Sequence, residues 1–198
     1  MRTPAADGGQ WPPPRFSEVV LKTARWEAMR AWYETVLDVK AFFLREPAPG
    51  PAWTGAWRIA FIRIFHAHPY TQVMGLFEIP AASGSANATG GEPGLHHMQL
   101  RHASLGHLFT RYECLREAGI QPVRAFNHGP ATSFYYRDPD SNMVELSAVN
   151  FADEADYLAY FSSESYRRNV SGIEIDPADF VARHRAGVPE AELVRIPA

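Results

Sequence analysis

The chain states one order of elements twice, and that repeat limits what it can fold into more than any other feature. The second copy begins with the run Leu95-His96-His97-Met98-Gln99-Leu100-Arg101, which reads as a strand. A helix follows, with Ser104 as N-cap, an apolar stripe of Leu105, Leu108, Phe109, Tyr112 and Leu115, and Gly119 as its stop. Three extended runs complete the copy: Gln121 to Phe126, Thr132 to Arg137 after the Gly129-Pro130 turn, and Met143 to Val149 after Asp138-Pro139-Asp140-Ser141-Asn142. The first copy repeats this order. Its strand runs from Phe16 to Lys22, its helix is capped by Thr23 and striped by Trp26, Met29, Trp32, Tyr33, Val36 and Leu37, and its extended runs are Ala41 to Arg45, Trp57 to Phe65 and Thr71 to Ile79. Each copy is small for a core of its own, so the repeat predicts an α+β fold: tandem βαβββ modules, 16–80 and 95–149, forming a curved, cup-like mixed sheet.

The remaining segments read as accessories. Residues 81–94 are rich in Ala, Ser and Gly, as expected of a connector, and residues 1–15 are rich in Pro and Gly, as expected of a loosely ordered N-terminal segment. Residues 150–198 predict a short helical extension, with one helix within 153–163 and another from Asp176-Pro177 through Arg185, ended by Gly187. That extension could pack over the cup, act as a lid, or form a homodimer contact.

Composition removes several function classes. A net charge of -3 offers no basic field for a phosphate backbone, so no nucleic acid partner is expected. No apolar run approaches the roughly 20 residues of a membrane helix, and the first 15 residues lack the apolar core of a signal peptide, so no membrane partner and a cytoplasmic location are expected. Cys114 is the single cysteine, which rules out an internal disulfide, and a packed or half-exposed thiol is its expected state. Asn169-Val170-Ser171 fits a glycosylation sequon but reads as coincidence without an export signal.

Chemistry concentrates at the strand starts. A period of two sends His97, Gln99 and Arg101 to one face and His96 to the other, and superimposing the two copies sets Glu18 opposite His97. Glu145 sits among Val144, Leu146 and Ala148, where a buried carboxylate needs a partner. If the modules pair as one cup, Glu18, His97 and Glu145 face inward and can hold a divalent metal ion with open positions. An imidazole with two carboxylates suits a borderline to hard ion such as Fe(II), Mn(II), Ni(II) or Zn(II). Trp57, Phe61, Tyr70 and Gln99 are the candidate lining of a pocket for an aromatic small molecule.

Tandem βαβββ modules with Gly94-Leu95-His96-His97-Met98, Asn127-His128-Gly129 and Ser133-Phe134-Tyr135-Tyr136-Arg137-Asp138-Pro139 resemble the vicinal oxygen chelate superfamily of glyoxalases, bleomycin-resistance proteins and type I extradiol dioxygenases. The resemblance spans roughly residues 16–149 and is nearest to the extradiol, catechol-cleaving branch. It implies a metal-dependent, dioxygenase-like oxidoreductase acting on a catechol-like or other vicinal-oxygen aromatic compound. Tyr135 would bond the substrate oxygen and His128 would stand close behind it, both as catalytic residues. The pattern expects histidine where Glu18 stands, and a proton-moving histidine where Tyr70 stands. Two other readings stay open on this scaffold: a metal-dependent isomerase or lyase, and a non-catalytic small-molecule binding or resistance protein.

Overall fold

The computed structural model describes residues 15–46, 58–67, 70–79 and 95–196. In chain order the elements are β1 (Glu18–Thr23), α1 (Trp26–Leu37), β2 (Phe43–Arg45), β3 (Ile59–Ala67), β4 (Tyr70–Glu78), β5 (Met98–Arg101), α2 (Leu105–Glu117), β6 (Arg124–Asn127), β7 (Ala131–Arg137) and β8 (Met143–Val149). The C-terminal elements are α3 (Glu154–Tyr160), α4 (Glu164–Arg168), β9 (Ile173–Glu174), α5 (Pro177–Arg185) and α6 (Glu190–Leu193). The βαβββ order therefore occurs twice. The strands form two mixed sheets, β1-β4-β3-β2 and β5-β8-β7-β6-β9, each with one parallel pair, β1 with β4 and β5 with β8. The expected cup is thus built from two sheets rather than one continuous ladder.

The helices form where the apolar stripes predict them, because those stripes are what the sheets bury. Trp26, Met29, Tyr33 and Val36 of α1 and Leu105, Leu108, Phe109, Tyr112 and Leu115 of α2 share one hydrophobic core with Ile62, Met74 and Leu76 of the first sheet and Phe134, Tyr136, Val144 and Leu146 of the second. Polar ties cross the same boundary. The Tyr33 hydroxyl donates to Asp138 Oδ2 at 2.8 Å, Arg111 pairs with Asp38 at 2.9 Å, and Arg25 donates to the Pro139 carbonyl.

The two helix starts differ in kind. Ser104 caps α2 and its hydroxyl accepts from the His107 amide at 3.2 Å, as its sequence position predicts. Ser104→Ala is expected to cost about 1 kcal/mol, measured by denaturant unfolding. At α1 the N-cap is Arg25 rather than Thr23, and its side chain makes no capping bond. Thr23 ends β1 and instead accepts from the Arg25 amide at 2.8 Å, so it shapes the strand-to-helix turn from two residues upstream.

The C-terminal extension is more than the two helices expected of it. Residues 154–168 divide into α3 and α4, neither with a buried residue. β9 then joins the second sheet antiparallel to β6, with Phe126 opposite Glu174 and Asn127 opposite Ile173. Phe180 and Val181 of α5 and Leu193 of α6 enter the common core. Cys114 is exposed on α2 and unpaired. Among the described residues no helix is long and apolar enough to cross a membrane.

Candidate active site

Strand pairing sets one row of side chains across the second sheet. Gln99 of β5 stands opposite Glu145 of β8, Glu145 opposite Tyr135 of β7, and Tyr135 opposite Arg124 of β6. The same registers in the first sheet give Val20, Gly75, Phe61 and Phe43. One half thus carries an amide, a carboxylate, a phenol and a guanidinium where the other carries an aliphatic group, a glycine and two phenyl rings. Chemistry belongs to the second module and apolar surface to the first.

Glu145 is the centre of the row. It is only 3% exposed, and its oxygens are divided in use. Oε1 accepts from Gln99 Nε2 at 2.8 Å and from the Ser133 hydroxyl at 2.6 Å, while Oε2 faces His97 Nε2 at 3.0 Å. No lysine or arginine among the described residues pairs with this carboxylate. A buried carboxylate normally requires a cation or several hydrogen bonds. Here two neutral donors fix one oxygen, and an imidazole nitrogen shares the approach to the other.

His97 sits just ahead of β5, outside the ladder. Its Nδ1 lies 2.7 Å from His96 Nδ1 and the two rings meet edge to face. Strict alternation of His96 and His97 across the strand therefore does not hold, because the pleat that would enforce it begins at Met98.

Tyr135 and His128 form a second pair. The Tyr135 hydroxyl lies 3.0 Å from His128 Nε2, and His128 Nδ1 lies 2.7 Å from the Ser171 carbonyl. Phe126 stacks on the His128 ring with centroids 5.4 Å apart and planes 8° from parallel. The Tyr135 ring stands perpendicular to that of His97, with centroids 6.0 Å apart. Burial, reinforced by the charge of Glu145, pushes the Tyr135 phenol up to about 12, while the Arg124 guanidinium opposes the shift from 4.7 Å above the ring. Tyr135 therefore stays a hydroxyl across the neutral range. Tyr136 points the other way, fully buried in the core, and its hydroxyl has no partner among the described residues.

The other sequence candidates are distributed differently. Glu18 is exposed at the start of β1, and the described residues contain no group of three or more His, Cys, Asp or Glu side chains poised on one metal position. Gln99 is engaged by Glu145 rather than free to line a pocket. Phe61 is half-buried among Phe42, Phe43 and Phe77. Tyr70 opens β4, its side chain lies outside the described residues, and so does the whole of Trp57. Ser133 and Arg124 were not anticipated. Both share the face of Tyr135, Ser133 by alternation along β7 and Arg124 by its pairing from β6, so the period of two carried the signal.

The donor chemistry fits a divalent ion. An imidazole nitrogen and a carboxylate oxygen lie 3.0 Å apart, on a buried acid with no permanent cation partner among the described residues. One imidazole and one carboxylate suit borderline to hard divalent metals. Gln99 and Ser133 orient the carboxylate from behind, as outer partners of metal ligands do.

Comparison with known proteins identifies the family. The family model described as Glyoxalase/Bleomycin resistance protein/Dioxygenase superfamily matches residues 15–146. The chain is 36% identical over 176 residues to biphenyl-2,3-diol 1,2-dioxygenase 2 of Rhodococcus globerulus, covering 89% of this chain and 84% of that relative. It is 34% identical over 180 residues to biphenyl-2,3-diol 1,2-dioxygenase 3 of the same organism, covering 91% and 87%. Among solved structures, the glyoxylase/bleomycin resistance protein/dioxygenase domain from Frankia sp. EAN1pec superimposes with a TM-score of 0.52 at 19% identity, over 70% of this chain and 99% of that one, which is a likeness of fold. With a doubled βαβββ fold, a site carried by its second half and relatives matching over most of their length, this chain belongs to the glyoxalase, bleomycin resistance protein and dioxygenase superfamily.

Proposed function

We propose that the protein is a metal-dependent, dioxygenase-like oxidoreductase that acts on an aromatic small molecule with two vicinal oxygens, of the catechol or aryl-diol class. The observation that carries this reading is a buried carboxylate facing an imidazole nitrogen, with a hydroxyl–imidazole pair made by β7 and the loop before it. The names of the two Rhodococcus relatives support the substrate class. The aromatic row of the first module, Phe43 and Phe61 with Phe42 and Phe77, supports an apolar aryl substrate.

His97 and Glu145 hold the ion in this reading, with Glu18, the repeat counterpart of His97 on β1, as the proposed third donor. Fe(II) is the favoured metal. When bound, the ion supplies Lewis-acid capture of two neighbouring oxygens and a path for electron density toward dioxygen. The protein's own groups do the rest. Gln99 and Ser133 keep one oxygen of Glu145 occupied, so the other remains directed at the site. Tyr135 bonds a substrate oxygen and, with His128 behind it, handles its proton. Dioxygenation of a diol consumes one dioxygen and needs no external reductant.

The test is elemental analysis of anaerobically purified protein after Fe(II) loading, followed by oxygen uptake with catechol and with 2,3-dihydroxybiphenyl. Near-stoichiometric iron and substrate-dependent oxygen uptake are expected. Protein that is folded but takes up no metal overturns the oxygenase reading and leaves a binding function for the aromatic surface.

A further inference from the structure

His128 uses both of its ring nitrogens, and one of its partners comes from the C-terminal extension. A carbonyl oxygen can only accept, so the contact of Nδ1 with the Ser171 carbonyl at 2.7 Å requires the proton to sit on Nδ1. In the neutral ring Nε2 is then a lone pair, and it must accept the Tyr135 O–H at 3.0 Å. The Ser171 carbonyl therefore makes His128 Nε2 an acceptor for the Tyr135 hydrogen, beside the Glu145 carboxylate that also bears on this hydroxyl.

That carbonyl is held in place by a specific local structure. The Asn169 side chain bonds Gly172 at both ends, with Nδ2 donating to the Gly172 carbonyl at 2.9 Å and Oδ1 accepting from its amide at 2.9 Å. Gly172 has φ +78, and a Cβ there would overlap the Asn127 carbonyl oxygen and His128 Cα. Only glycine supplies both the left-handed backbone and the close approach. Beyond it, β9 is fixed to β6 by the ladder and by the Ile175 amide, which donates to the Ala125 carbonyl at 3.0 Å. Asn127 reaches further along the extension, donating to the Val194 carbonyl at 2.6 Å. Phe126, stacked on the His128 ring, restricts its rotation.

We propose that the 169–172 loop between α4 and β9 sets the tautomer of His128, with Asn169 and Gly172 as positioning residues that present the Ser171 carbonyl to Nδ1. The consequence for the site rests on the oxygenase reading. When its hydrogen goes to His128 rather than to Glu145, Tyr135 turns oxygen lone pairs toward a substrate and accepts a hydroxyl proton there. If that substrate O–H breaks toward the Tyr135 oxygen, the original Tyr135 proton passes to Nε2, and the resulting imidazolium keeps its Nδ1–H on Ser171. The opposite tautomer would make His128 the donor and leave Tyr135 offering a hydrogen instead. An extension that looks like a cover thus fixes the polarity of the hydroxyl–imidazole pair.

The test is long-range proton–nitrogen NMR of the full chain labelled with 15N-histidine, at mildly alkaline pH and without substrate, with His128 assigned by its loss in His128→Asn. The wild type is expected to show the Nδ1–H tautomer, against the Nε2–H preference of free imidazole. Tyr135→Phe should keep it, because Ser171 sets it. Asn169→Ala should lower the Nδ1–H population severalfold, and Asn169→Asp, which retains the acceptor for the Gly172 amide, should restore part of it. An Nε2–H ring in the wild type, a switch in Tyr135→Phe, or an unchanged tautomer in folded Asn169→Ala would each overturn the proposal. If Asn169→Ala does not fold, the wild-type and Tyr135→Phe spectra still decide. None of these readouts depends on iron or turnover, so their failure would be distinct from failure of the oxygenase reading.

Discussion

Glu145→Gln is expected to remove metal binding and oxygen uptake while leaving the protein folded. The substitution keeps the shape of the side chain and one carbonyl-type oxygen, which can still accept from Gln99 and Ser133. It removes the negative charge and replaces the oxygen facing His97 with an amide nitrogen, which donates and does not ligate. Loss of an outer partner of a metal ligand typically weakens metal affinity by about 10- to 100-fold, so loss of the ligand itself should exceed about 100-fold. Glu145→Ala should behave differently in stability. It leaves the Ser133 hydroxyl, which is fully buried, and the Gln99 amide without their acceptor, at about 1–3 kcal/mol for each group that remains buried. The pair of variants therefore separates a ligand from a structural acid. Equilibrium metal titration beside a denaturant curve makes the measurement. Full metal occupancy in Glu145→Gln would remove Glu145 from the proposed ligand set, whereas equal destabilisation of both variants with metal retained would assign it to the core.

The contrast between the two halves explains what could be read from the sequence and what could not. The helical stripes were legible because α1 and α2 bury them, with Met29, Tyr33, Leu108 and Phe109 fully inaccessible. β8 was legible to the residue, since a turn with a positive-φ Ser141 precedes an uninterrupted buried run. β9 was not. Two residues carry no period, and Ile173–Glu174 is a strand only because β6 offers it an edge. The repeat made Glu18 the counterpart of His97, and both modules do pair their first strand parallel to their last, β1 with β4 and β5 with β8, although His97 itself lies ahead of the β5 ladder. Whether equivalent residues meet in space depends on how two sheets pack, and no local pattern encodes that. Gln99 and Ser133 became meaningful only once strand order was known. Each is an ordinary polar residue until β8 places Glu145 beside it.

Asp138 is where the sequence signal and the tertiary structure coincide, and Asp138→Ala is expected to cost about 3–4 kcal/mol, several times a typical surface change. The Asp-Pro-Asp-Ser-Asn segment reads as a turn, but its first aspartate is 4% exposed and does more than turn the chain. Oδ1 accepts from the Asp140 amide at 3.0 Å and the Asn142 amide at 2.8 Å, and Oδ2 accepts from Asn142 Nδ2 and from the Tyr33 hydroxyl, both at 2.8 Å. The last bond joins α1 of the first module to the turn that launches β8, the strand carrying Glu145. Alanine would leave the Tyr33 phenol, fully buried, without a partner. Burial raises the Asp138 carboxyl above the ordinary aspartate range despite these four bonds. The sign of its pH effect follows. A native pKa above the unfolded one means the folded state binds the proton more tightly, so this group favours folding most below the unfolded value and loses that contribution as pH rises through the raised native value. Asp138→Asn does not titrate at that position. The stability difference between wild type and Asp138→Asn should therefore move in favour of the wild type on acidification through that window, with the remaining carboxylates cancelling in the comparison. Denaturant midpoints for both proteins across the acidic range test this directly. A difference that is flat with pH, or an Asp138→Ala loss below about 1 kcal/mol, would show that the carboxylate is solvated in solution and that the two modules are held together by the shared apolar core rather than by this polar tie.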